Sequence, residues 1–226
     1  MNTHITQDFL QYVDKNGLIA PTVGGGSLNG VLYTAISMIV MEDNKALPDE
    51  LKQQFGDRLA KCFKEPGLLT RTPDLHPDQE GPDDLVGICA VAKLLGFPFA
   101  KDVLKYGLKH FFVYNNDGKL RGEDFLGRQI QLVTHMFYCA IGFCPPFFGV
   151  YWALAIWHSA FAKKENQDAF MLSWLLIRCL PKHNLLGRLA AKFWYKKMYA
   201  HFPRGFKDLN YLEGNNNHPI CKYWIK

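Results

Sequence analysis

Complete catalytic signatures are missing from this sequence. No Cys-x-x-Cys pair occurs, and the six cysteines (Cys62, Cys89, Cys139, Cys144, Cys179, Cys221) lie far apart except for Cys139 and Cys144. That excludes the zinc-ribbon and thioredoxin patterns. None of Ser27, Ser37, Ser159 and Ser173 stands in a Gly-x-Ser-x-Gly setting, so the strained nucleophile turn of the α/β hydrolases is absent. The run PTVGGG at 21–26 has no following Lys-Ser/Thr and no preceding strand pattern. It lets the backbone turn or approach a neighbour closely, but it is not a phosphate loop. The opening MNTHITQDFLQYVDKNG lacks a basic stretch leading into an apolar run. No signal peptide is therefore expected, and free thiols in a reducing compartment are. Alternating apolar and polar residues over strand length are also missing, which argues against a sheet.

What is present is helical and apolar. The 226 residues are 48% hydrophobic and 14% aromatic, enough to bury a core in one domain over 1–226. A short amphipathic arm covers 4–14 and is stopped by Asn16-Gly17. Ser27 suits the N-cap of a helix to residue 43 whose apolar residues point to all sides. Pro48, Asp49 and Glu50 then start an amphipathic helix in which Leu51, Phe55, Leu59 and Phe63 recur every four residues. The alternation repeats: 82–95 is apolar nearly all round, and 97–114 is amphipathic with Lys101, Asp102, Lys105 and Lys109 outward. Further helices fit 123–140, 147–161, 166–180 and 185–201. The tail 205–226, rich in Asn and Pro, is expected to be non-helical, with Ile220, Tyr223, Trp224 and Ile225 packed on the body. Alternating buried and amphipathic members predict an all-α fold of helical hairpins in an arc or an incomplete α/α toroid.

One apolar stretch, Leu132–Ala162, invites a membrane reading. Pro145-Pro146 cuts it into pieces of 13 and 16 residues, each shorter than the roughly 20 needed to span a bilayer. Two buried helices joined at a proline turn fit better, and no transmembrane segment is expected.

The organising polar stretch runs from Gly67 to Gly96. In an arc of hairpins the inner helices run the same way and gather their N-termini on one face. Those termini carry Asn29, Asp83, Asp84, Glu123, Asp124 and Asp168, and the loop before Asp83 supplies Arg71, Asp74, His76 and Asp78. The plain reading is capping, because carboxylates satisfy free N–H groups and the positive dipole end. The catalytic reading pairs Asp84 with Asp78 or Asp124 across a cleft, beside Asp83, one giving and one taking a proton. His76 would shuttle protons near neutral pH. Arg71 would hold an anionic or sugar group by its fork of donors, with Asn29, Asp74 and Asp124 as further ligand contacts. These oxygen-rich residues also suit calcium or magnesium, but the EF-hand spacing is missing, so no metal and no cofactor is expected.

The net charge of +5 is uneven: residues 181–226 carry about +7 and the remainder about −2. The stripe Arg188, Lys192, Lys196 with Trp194, Tyr195 and Tyr199 offers charge and stacking groups that would suit nucleic acid or a membrane surface. The plainer reading turns the aromatics inward and the lysines to water, so nucleic acid is not the expected partner. His110, His135, His158 and His201 fall on helices, and His218, before Pro219, is expected to bond a local backbone group.

Four segments together, NGVLYTA (29–35), 67–96, YGLKHFFVYNN (106–116) and NHPICKYW (217–224), resemble a group of uncharacterised bacteriophage-encoded proteins. Gly81-Pro82 stands where such relatives would carry a small polar residue before the Asp pair. The layout is similar to the α/α toroids of glycoside hydrolases and polysaccharide lyases, by analogy of fold alone. The resemblance implies a structural or interaction protein, a virion component or a protein of the host cytoplasm, with other phage proteins or its own copies as partners. The alternative it leaves open is a carbohydrate-active enzyme or sugar-binding module acting on polysaccharide.

Overall fold

A computed structural model describes residues 2–24, 30–64, 82–102, 167–179, 189, 192–193, 195–196, 199–208 and 217–225. These residues are mostly helical, with no strand among them beyond a single bridge between Val13 and Ile19. The fold is all-α. Among the described residues no helix is long and apolar enough to cross a membrane. The helices expected at 123–140 and 147–161 and the hairpin at 132–162 lie outside the described residues.

The chain forms two compact units, one of Met1–Val103 with Arg204–Lys226 and one of Leu104–Pro203. In the first, α1 is Thr3–Leu10, α2 Gly30–Asp43, α3 Asp49–Lys64 and α4 Pro82–Leu95. A 3₁₀ turn, Gly205–Asp208, and a five-residue helix, which we label α6, Pro219–Tyr223, complete it. In the second unit, α5 is Gln167–Cys179, and helical residues recur from 189 to 201.

The centre of the first unit is α2, buried continuously from Gly30 to Met41, as its all-round hydropathy predicts. Its main neighbour is α4. Gly87 allows the close approach: a Cβ there would lie 3.1 Å from Leu32 Cδ1 and 3.2 Å from Ala35 Cβ. By contrast, α3 buries Phe55, Leu59, Ala60 and Cys62 and turns Gln53, Gln54, Asp57 and Lys61 outward. Each fully buried Leu, Ile or Met in such a core stabilises by about 1.5–3 kcal/mol.

Two helix ends share one geometry. After α2, the Ala46 amide donates to the Met41 carbonyl at 2.8 Å and Lys45 N–H to Glu42 at 3.0 Å, with Lys45 at φ 53°. After α4, the Phe97 amide donates to the Ala92 carbonyl at 3.0 Å, with Gly96 at φ 77°. Both are left-handed C-terminal caps, and the first places an exposed lysine where glycine is favoured.

Side-chain hydroxyls tie the N-terminal arm down. Thr6 Oγ1 donates to the Ala46 carbonyl at 2.6 Å. Thr34 Oγ1 donates to the Gly30 carbonyl at 2.6 Å and accepts the Ile19 amide at 2.8 Å. Asp14 Oδ1 accepts the amides of Asn16 and Leu18 at 2.8 and 3.0 Å, which shapes the turn that brings Ile19 there.

The tail corrects one expectation. It is helical in part, at Gly205–Asp208 and Pro219–Tyr223, because His218 and Pro219 together make a helix start. Ile220 is fully buried as expected, whereas Ile225 is exposed. Gly205, at φ 67°, is packed where a side chain would strike the Trp224 ring.

Candidate functional site

Of the residues singled out for catalysis, Asp83 and Asp84 lie at the start of α4, directly after Pro82, where helix-end chemistry puts acids. Their side chains lie outside the described residues. So do Asn29, Arg71, Asp74, His76, Asp78 and Asp124 altogether. Among the described residues, no three His, Cys, Asp or Glu side chains converge as a metal site would require.

The described residues place two other clusters of titratable groups, both where the tail meets the N-terminal arm. The first is centred on His218, whose ring is fully buried. Nδ1 accepts the Ile220 amide at 3.2 Å and so caps α6, and the other ring nitrogen, Nε2, lies 3.1 Å from the Ala20 carbonyl. One nitrogen accepting and one donating defines the neutral Nε2–H tautomer. The Tyr12 ring meets it edge-on at 4.4 Å between centroids, and the Tyr33 ring lies at 6.3 Å. Burial holds the imidazole down to about 4, only partly opposed by the Ala20 carbonyl. Both nitrogens are committed to backbone, so the ring positions chain rather than protons. The expected local backbone bond is present, and the reach to Ala20 adds a second.

The second cluster joins α1 to α6. Asp8 Oδ2 accepts from Tyr223 Oη at 2.5 Å and from Lys222 Nζ at 2.8 Å, and His4 lies 3.4 Å from the Tyr223 hydroxyl. The Lys222 hydrogen bond, then that of Tyr223, hold the Asp8 carboxyl below its ordinary range. Asp8 in turn raises Lys222 to about 12. Tyr223 is raised by burial and by its bond to Asp8. A nucleophilic lysine or a tyrosine base needs the opposite displacement, toward neutrality. This arrangement is a clasp. Asn44 adds to it from the end of α2, donating to the Tyr223 carbonyl at 2.9 Å.

Buried thiols follow the same logic. Cys62, Cys89, Cys179 and Cys221 are all buried. Burial pushes Cys221 up to about 11, and its Sγ donates to the Phe206 carbonyl at 3.4 Å. Such a thiol stays protonated and unreactive.

In the second unit the two described tyrosines of the aromatic stripe pack toward α5. Phe170 on α5 stacks on Tyr195 at 5.7 Å and meets Tyr199 and Phe202 at 6.4 and 5.4 Å. Burial and Tyr199 raise Tyr195 to about 12. These tyrosines turn inward while Lys192 and Lys196 are exposed, as the plainer sequence reading holds. Sequence reasoning missed the neighbours of those lysines: Leu189 is 64% exposed and Phe193 51%. No sequence signal marks them, because both sides of 185–201 carry apolar residues.

No protein-family model, curated protein or solved structure matches the chain.

Proposed function

We propose that this chain is a structural or interaction protein, a phage-encoded virion component on a frame of helical hairpins in an arc or incomplete α/α toroid. The single observation that carries the interaction reading is the pair Leu189 and Phe193, one helical turn apart and both more than half exposed. A large apolar pair held out of the core beside lysines supports a contact surface. The displacements at Asp8, Lys222, Tyr223, His218 and Cys221 support the same reading, since each moves its group away from reactivity at neutral pH. The buried α2 beside α4, with amphipathic α3 between them in sequence, supports the hairpin frame. The phage assignment rests on the sequence resemblance.

Quantitative composition of purified particles tests this. The chain is expected at a fixed copy number, and Leu189→Ser with Phe193→Ser is expected to remove it from particles without lowering its melting temperature. A folded wild-type chain missing from particles would overturn the virion assignment.

A further inference from the structure

We infer that the face bearing Leu189, Lys192, Phe193 and Lys196 docks on an anionic phospholipid bilayer. The inference rests on the interaction-protein reading above and not on membership of a particle.

The geometry is that of an interfacial helix. Residues 189, 192, 193, 196 and 200 are all exposed and helical. At 3.6 residues per turn they fall within an arc of about 100°. Across that arc the two lysines lie to one side and Leu189 and Phe193 to the other. An apolar half that sinks below the headgroups, next to lysines whose stems snorkel to phosphate, is the arrangement by which a helix lies in a membrane surface. Just beyond the lysine edge of that arc, Tyr195 and Tyr199 pack against Phe170, so the outward residues are held in register.

Charge selects the partner. Between Asp168 and Asp208 the sequence has no acidic residue, while Arg178, Lys182, Arg188, Lys192, Lys196, Lys197, Arg204 and Lys207 lie there. Among the described residues neither Lys192 nor Lys196 has an ion-pair partner. A surface of phospholipid phosphates supplies the missing negative charge, and its acyl region accepts Leu189 and Phe193. A nucleic-acid backbone offers the charge but no place for a leucine, and an acidic protein surface lacks the apolar layer beneath.

Flotation of the full chain with vesicles tests the assignment. Vesicles of phosphatidylcholine mixed with phosphatidylglycerol are expected to carry it, and vesicles of phosphatidylcholine alone are not. Binding weakens with added salt, as screening of the lysines requires. Lys192→Gln with Lys196→Gln weakens binding about tenfold or more, near the expected worth of two cations at an anionic surface. Leu189→Ser with Phe193→Ser weakens it at least as much. All four positions are exposed, so circular dichroism and melting temperature should match wild type and exclude misfolding as the cause. Two results would overturn the inference: no binding to anionic vesicles, or binding that depends on the lysines alone and transfers equally to single-stranded DNA. Self-association that requires Leu189 and Phe193, without vesicle binding, also sinks it, but leaves the interaction reading standing. Absence from particles together with vesicle binding does the reverse: the virion assignment falls and the membrane inference holds.

Discussion

His218 shows how one side chain sets a pH limit on the fold. Buried and neutral, it binds its proton only near pH 4, against 6.5 for a free imidazole. Between those values the unfolded chain holds more protons than the folded one, so stability rises with pH across this window and is lost as pH falls through it. The loss approaches about 3 kcal/mol at the acid end. Denaturant titrations at a series of pH values should show that slope for wild type. His218→Asn keeps a capping acceptor and should remove most of the slope, while costing stability at neutral pH. A slope unchanged in the variant would mean another group carries it. Lys45 makes the converse case. Its left-handed φ is unfavourable for a side chain, and Gly96 fills the same role after α4 without that cost. Lys45→Gly should therefore stabilise by about 0.5–1 kcal/mol, seen as a higher denaturant midpoint at constant slope.

At the scale of elements, α6 is held by its ends. It has five residues, far too few to be helical alone, and depends on the His218 cap and the Asp8 clasp. The Asp8 contribution is present above pH 3.8, the carboxyl's ordinary value. It disappears as pH falls through the lower folded value. Asp8→Asn should therefore speed amide exchange across 220–224 several-fold at neutral pH, with α2 unaffected, as hydrogen-exchange mass spectrometry would read. Equal acceleration in α2 would show that the clasp is not local. Hydropathy made α2 and α4 legible in advance, because a helix apolar on every side has nowhere to go but inside. It likewise put Asp83 and Asp84 at a helix start. The tail helix was hidden because its stabilising partners, Asp8 and Ala20, lie 214 and 198 residues away in sequence. Phe193 was hidden for another reason: a helix with apolar residues on two sides does not announce which side is covered.

For the molecule as a whole, the behaviour we propose is association. The particle and vesicle measurements proposed above bear on the outward face of the second unit. The acid sensitivity of His218 and Asp8 belongs to the first. The two can thus be separated: mild acid should loosen the attachment of the tail to the arm before it alters an exposed face built on Leu189 and Phe193. One feature of the architecture reaches beyond equilibrium. The first unit is assembled from Met1–Val103 and Arg204–Lys226, so its two parts leave the ribosome separately. At about 5–20 residues per second, the nascent α1–α4 segment waits on the order of 5–20 seconds before Ile220 and His218 arrive to fill their places. Throughout that interval the Ala20 carbonyl lacks the His218 ring that meets it in the finished fold, so the first unit closes only after the whole of the second has been made.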